Sequence, residues 1–115
     1  MNSQSSAEQK RFQKWCRGYG CVISGDRAAI HHIGGAKMKL KGCKNPGEDY
    51  VIPLSYWWHQ DGNNPAARYV NKKEFEKQVG STEKELWINL IAIYEGCNGK
   101  KPLPEHEYEI IKERA

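Results

Sequence analysis

Three of the four histidines stand in two short stretches whose residue types suit chemistry. Ala29-Ile30-His31-His32-Ile33-Gly34-Gly35 delivers two adjacent imidazoles out of an apolar run and breaks at two glycines. Ile52-Pro53-Leu54-Ser55-Tyr56-Trp57-Trp58-His59 turns at a proline and delivers a third. Imidazole titrates near neutrality and binds metals in its neutral form. Hydrolysis of a phosphodiester needs both abilities: a cation to neutralise the phosphate and its leaving oxygen, and a base to activate water. Adjacent residues of a regular strand point to opposite faces, so the strand must end or bulge at His31-His32, and Gly34-Gly35 supplies the freedom. The expected division is one histidine toward a metal and the other toward the water. The plain alternative is half-buried strand polarity at His31-His32 and a surface histidine at 59.

The elements that must position these residues follow from caps and periodicity. Ser6-Ala7-Glu8-Gln9 fits a capping box, and Phe12, Trp15, Cys16 and Tyr19 make one helical face, so a helix is expected from about Ala7 to Arg17. Cys21-Val22-Ile23 and Arg27 to Ile33 are extended candidates that could pair as a ribbon. Gly34 to Gly47 reads as a long loop with Lys37, Lys39, Lys41 and Lys44 in it, and loops of that length are functional or mobile. Tyr50 to Leu54 is a strand, and Pro53 marks its end. Ser55 is the N-cap of a helix carrying Tyr56 to His59 that stops near Gly62. Asn71 caps the next helix, Phe75 and Val79 face inward, and Gly80 closes it. Thr82-Glu83-Lys84-Glu85 opens the longest helix, with Leu86, Trp87, Leu90, Ile91 and Tyr94 as its stripe and Gly96 as its end. A last helix spans roughly Glu105 to Lys112. Strands and helices that do not alternate regularly indicate a small α+β domain.

At 115 residues one domain is expected, 1–115, with 1–5 as a disordered tail, 20–80 carrying the site and 82–113 as C-terminal helices. A formal charge of +4 is compatible with a polyanionic partner. No apolar run approaches the roughly eighteen residues of a membrane span, and Met1 to Ser6 is polar, so no membrane partner and a cytoplasmic location are expected. Cys16, Cys21, Cys43 and Cys97 are then thiols or metal ligands rather than disulfides. Their spacing is irregular and lacks C-x-x-C, so buried or idle thiols are the default over a four-thiolate zinc site.

The order of these pieces resembles the ββα-metal (HNH) nucleases, and more closely the phage recombination-enhancement, RecA-dependent nuclease family. The matching segments are Gly20-Cys21, His31-His32-Ile33, Pro53-Leu54, His59 and Lys72-Lys73-Glu74-Phe75-Glu76 with Gly80, which together span about Gly20 to Leu86. The resemblance implies a small ββα-metal core with flanking helices. It implies a metal-dependent endonuclease acting on DNA, with Mg²⁺, Mn²⁺ or Zn²⁺ as cofactor and a RecA-type filament as partner. In a phage-encoded protein the location would be the bacterial host cytoplasm.

The resemblance also assigns roles. His32 matches the general base, while His31 and His59 match metal-binding positions. Asn45, Glu48 and Asp49 all fall near the middle residue of the motif, and Asp49 is carried forward with His32 as catalytic. Lys37, Lys39, Lys41, Lys44, Arg68, Lys72 and Lys73 are candidate phosphate contacts without base specificity. Three positions depart from the family. Ser24 and Ser55 stand where cysteines help hold a structural zinc, and Tyr69 where a histidine is usual. Serine is a poor zinc ligand, so that zinc is expected to be absent, and Trp57 and Trp58 are expected to replace it by packing. The rival function is a DNA-binding module that keeps the fold but cuts poorly.

Overall fold

Val51-Ile52-Pro53-Leu54 has no polar position, and a strand of that pattern must be covered on both faces. The computed structural model describes residues 6–115. Its elements in order are α1 (Ala7–Tyr19), β1 (Ala29–His32), α2 (Pro46–Asp49), β2 (Val51–Leu54), α3 (Tyr56–His59), α4 (Lys72–Val79), α5 (Glu83–Asn98) and α6 (Glu105–Arg114). β2 is buried at every position. α1 packs against both strands, and α5 packs against β2. The strands pair antiparallel, with His31 opposite Ile52 and His32 opposite Val51. Among the described residues this is an α+β fold of six helices and a two-stranded sheet. The tail expected at 1–5 lies outside the described residues.

Local chemistry sets the helix starts. Ser6 and Gln9 close a reciprocal capping box on α1, and Thr82 and Glu85 do the same on α5. The Asn71 side chain accepts from the Glu74 amide, and Gly80 ends α4 in the left-handed region. The apolar faces then meet in one core. Phe12 and Cys16 of α1, Ile52 and Leu54 of β2, Phe75 of α4, Trp87, Leu90 and Ile91 of α5 and Ile111 of α6 are all buried. Each such large side chain contributes about 1.5–3 kcal/mol by leaving water.

Several sequence-level expectations are corrected. Cys21-Val22-Ile23 is a turn, not a strand: the Cys21 amide donates to Asp26 and the Gly25 amide to Cys21. Its apolar residues pack against the core rather than pairing as a ribbon, and β1 takes β2 as its partner instead. The Val22 amide still reaches the sheet by donating to the Pro53 carbonyl at 3.1 Å. The loop after β1 ends in α2, which the sequence reading left irregular. α1 runs to Tyr19 and α6 to Arg114, each beyond its expected end. α5 passes through Gly96 and stops at Gly99. α3 ends at His59, well before Gly62.

Candidate functional site

Strand alternation sends His31 inward, where it is 1 % exposed. There it meets the first residue of α5: His31 Nε2 lies 2.7 Å from Glu83 Oε2. Arg68 Nε donates to the same oxygen at 2.7 Å, and Lys72 Nζ stands 3.9 Å from Oε1. Glu83 is itself buried, at the positive end of its helix, where a carboxylate is favoured. Burial pushes its carboxyl up. The hydrogen bonds from His31 and Arg68 outweigh this and hold it below the ordinary carboxylate value. Sequence reading missed Glu83, because acidic residues in a first helical turn are ordinary and nothing local separates this one from Glu85.

His59, the last residue of α3, completes the inward group. Its ring centroid is 4.9 Å from that of His31 and 4.8 Å from that of Tyr69. The chain returns Tyr69 to this place by two backbone hydrogen bonds, Arg68 amide to Trp58 carbonyl at 2.8 Å and Tyr69 amide to His59 carbonyl at 2.9 Å. Buried Asn64 fixes the loop between them, donating to the Trp57 carbonyl and accepting from the Ala66 amide. Burial lowers the His59 pKa to about 4, with the charges of His31 and Arg68 adding to the fall and Glu83 opposing it. His59 is therefore neutral at neutral pH. His59 Nε2 and His31 Nδ1 are both buried without a hydrogen-bond partner.

His32 ends β1 on the other face, half-buried, with Nε2 3.6 Å from Glu48 Oε2. Gln13 steadies that glutamate, donating to its carbonyl at 2.9 Å and its carboxylate at 3.0 Å. The structure thus brings His31 and His59 together and sets His32 apart with Glu48. Asp49 is 2 % exposed and lines a different cavity, with no hydrogen bond or ion pair to the three histidines among the described residues.

The basic residues divide as well. Lys37, Lys39, Lys41, Lys44, Lys72 and Lys73 are exposed, whereas Arg68 is half-buried and engaged by Glu83. A cleft of about 720 Å³ borders His59 and is lined by Arg17, Arg27, Tyr56 and Gln60. Neither arginine has an ion pair among the described residues, and Tyr56 is 62 % exposed. Sequence reading passed over Arg17 and Arg27, which come from separate segments and meet only in the fold.

Ser24 and Ser55, where the resemblance leads one to expect cysteines, both lie beside Cys21. Burial would raise the Cys21 thiol, but hydrogen bonds with the Ser24 side chain and with the backbone of Ser24, Ser55 and Ile23 bring it below its ordinary value. Trp58 packs edge-on to Phe75, while Trp57 is 48 % exposed, so only the first serves as packing. Among the described residues no group of three or more His, Cys, Asp or Glu side chains is placed to hold a metal ion. The chain matched no protein-family model, no curated protein and no solved structure.

Proposed function

We propose that the chain is a metal-dependent endonuclease of the ββα-metal (HNH) type that hydrolyses DNA, with β1, β2 and α3 as the ββα core. The observation that carries this reading is the condition of the inward imidazoles. Glu83 engages His31 Nε2, and both His31 Nδ1 and the Nε2 of neutral His59 are buried without a hydrogen-bond partner. A carboxylate behind one ring nitrogen, with the other nitrogen open, is the arrangement that orients metal-binding histidines. His31 and His59 would hold a divalent ion, Mg²⁺, Mn²⁺ or Zn²⁺. When bound, it supplies charge neutralisation at the scissile phosphate and its leaving oxygen.

The chain's own groups do the rest. His32 takes the proton of the attacking water, with the Glu48 carboxylate 3.6 Å from its Nε2. Strand alternation keeps His32 out of the metal grip, which leaves its nitrogen free for that proton. Arg17 and Arg27 hold the phosphate backbone in the cleft beside His59, and Tyr56 offers a face for a base. A RecA-type filament as partner, and a place in recombination, rest on the family resemblance alone.

A specific observation favours the second reading, a DNA-binding module that cuts poorly: two imidazoles are a thin grip, and His32 shares no partner with them. Plasmid incubated with Mg²⁺ or Mn²⁺, with and without a RecA-type filament, separates the two. Nicking is expected from the wild type, with a loss of about a hundredfold or more in His32→Ala. DNA retardation without nicking in every condition would leave only the binding module. Equal nicking by wild type and His32→Ala would remove the base assignment.

A further inference from the structure

A cavity of about 1070 Å³ lies apart from His31, His32 and His59, between the start of α1, the loop before α2 and the segment leading into α6. Pro102, Leu103 and Pro104 give it an apolar wall. Two of its lysines are already matched: Lys100 stands 3.0 Å from Glu8, and Lys101 stands 3.1 Å from Glu95 and 3.0 Å from Glu105. Two buried carboxylates are not. Asp49 and Glu107 are only 2 % and 8 % exposed, and no lysine or arginine pairs with either among the described residues. The only ion-pair neighbour of Glu107 there is His106, at 4.0 Å. Asp49 Oδ1 has no hydrogen-bond partner at all. The cavity thus holds two buried carboxyl groups with no lysine or arginine paired to them among the described residues.

A buried carboxylate is costly unless it is paired and hydrogen-bonded. A cation arriving in the cavity would supply both. A guanidinium suits two carboxylates better than an ammonium, because it is flat, weakly hydrated and presents several donors at once. The apolar wall suits a hydrocarbon stem behind it. We propose that this cavity binds an alkylguanidinium cation through the carboxylates of Asp49 and Glu107, with the stem against Pro102, Leu103 and Pro104. The site shares no residue with the histidine group and does not depend on the nuclease reading.

The electrostatic surroundings agree. Burial raises the Asp49 carboxyl to about 7, a hydrogen bond with Gln9 opposes the rise, and Glu107 and Glu48 add to it. Cys43 is raised by burial and then by Glu107 and Asp49, with Arg114 opposing, and the other charged or titratable groups lining the cavity are Lys44, His106, Glu105, Lys101, Lys100, Glu95 and Glu8. A bound cation stabilises the ionised carboxylate, so binding should release protons and tighten from about pH 6 to about pH 8.

The test uses the full chain and n-butylguanidinium, with neutral n-butylurea as the isostere and N-acetyl-arginine amide as the side-chain form. Titration followed by calorimetry and by NMR of the backbone amides reads the result. Saturable binding of butylguanidinium is expected, with shifts at Gly42 to Asn45 and Gly99 to Glu107. Butylurea and the Asp49→Asn and Glu107→Gln variants should each bind about tenfold more weakly or worse. Stronger binding of the arginine amide than of butylguanidinium would assign the site to an arginine side chain, and the reverse to a free small molecule. The wild-type comparison of the two isosteres needs no variant to fold. Equal binding of butylurea and butylguanidinium, or no saturable binding of the cation, would overturn the proposal.

Discussion

At the scale of single residues, Glu83 joins the parts that the chain brings from afar. It ties β1 through His31 to the segment after α3 through Arg68, and both bonds fall on one oxygen at 2.7 Å. Removing one partner of a buried charged group strands the other. Glu83→Ala should therefore cost about 3–5 kcal/mol of unfolding free energy, and Glu83→Gln, which keeps the shape and an acceptor, clearly less. Urea denaturation measures both, and equal losses would assign the effect to packing rather than charge. Asp49 makes the opposite contribution. Its carboxyl titrates at about 7 in the fold against an ordinary value of 3.8. A raised folded-state value means stability that is complete below the ordinary value and lost as pH rises through about 7. Asp49→Asn should be more stable than the wild type by on the order of 1–3 kcal/mol near pH 8, with the gap shrinking toward about pH 4. A gap independent of pH would show that ionisation is not the cause.

At the scale of elements, what could be read in the sequence was what local chemistry decides. Ser6 with Gln9, Asn71 with Glu74, and Thr82 with Glu85 announce helix starts because capping partners lie three residues apart. The partner of β1 could not be read this way, since pairing with Val51–Leu54 is a long-range event and the nearer apolar run at Cys21 offered itself first. The end of α5 was expected at Gly96, the first glycine after the apolar stripe, but the helix runs on to Gly99. Gly99 has φ 82°, and the preceding Asn98 side chain donates to the Tyr94 carbonyl, so the stop is there. Gly96 is an exposed helical position where an added Cβ meets nothing within 4 Å. Gly96→Ala should therefore stabilise by about 0.5–1 kcal/mol, and Gly99→Ala should destabilise by about 1 kcal/mol. Thermal denaturation of the two variants checks the opposite signs, and matching signs would contradict the placement of the helix end.

At the scale of the whole molecule, the histidine pattern was legible because His31 and His59 are rare residue types at two chain breaks. Glu48, the neighbour of His32, was already one of three candidates near the motif's middle position. The partner of His31, Glu83, was not legible, since an ordinary acidic residue acquires meaning only from what the fold sets beside it. The same holds for positive charge. Counting lysines and arginines marks the chain as basic, but the fold decides which of them can meet a phosphate. Arg68 is spent on Glu83, and Lys44 lines the acidic cavity, whereas Arg17 and Arg27 stand without ion-pair partners, among the described residues, in the cleft beside His59. Each phosphate contact contributes about 0.9 to the slope of log affinity against log salt for duplex DNA. The Arg17→Gln/Arg27→Gln double variant should thus flatten that slope by up to about 1.8. Lys37→Gln, Lys39→Gln and Lys41→Gln together should flatten it as well. Arg68→Gln should leave the slope unchanged and lower the melting temperature instead, because its loss strands Glu83 rather than a phosphate. Fluorescence anisotropy of a labelled duplex across a salt series, beside thermal denaturation, separates the two behaviours. An unchanged slope in the Arg17/Arg27 double variant would move the DNA path away from His59, and with it the phosphate from the imidazole pair.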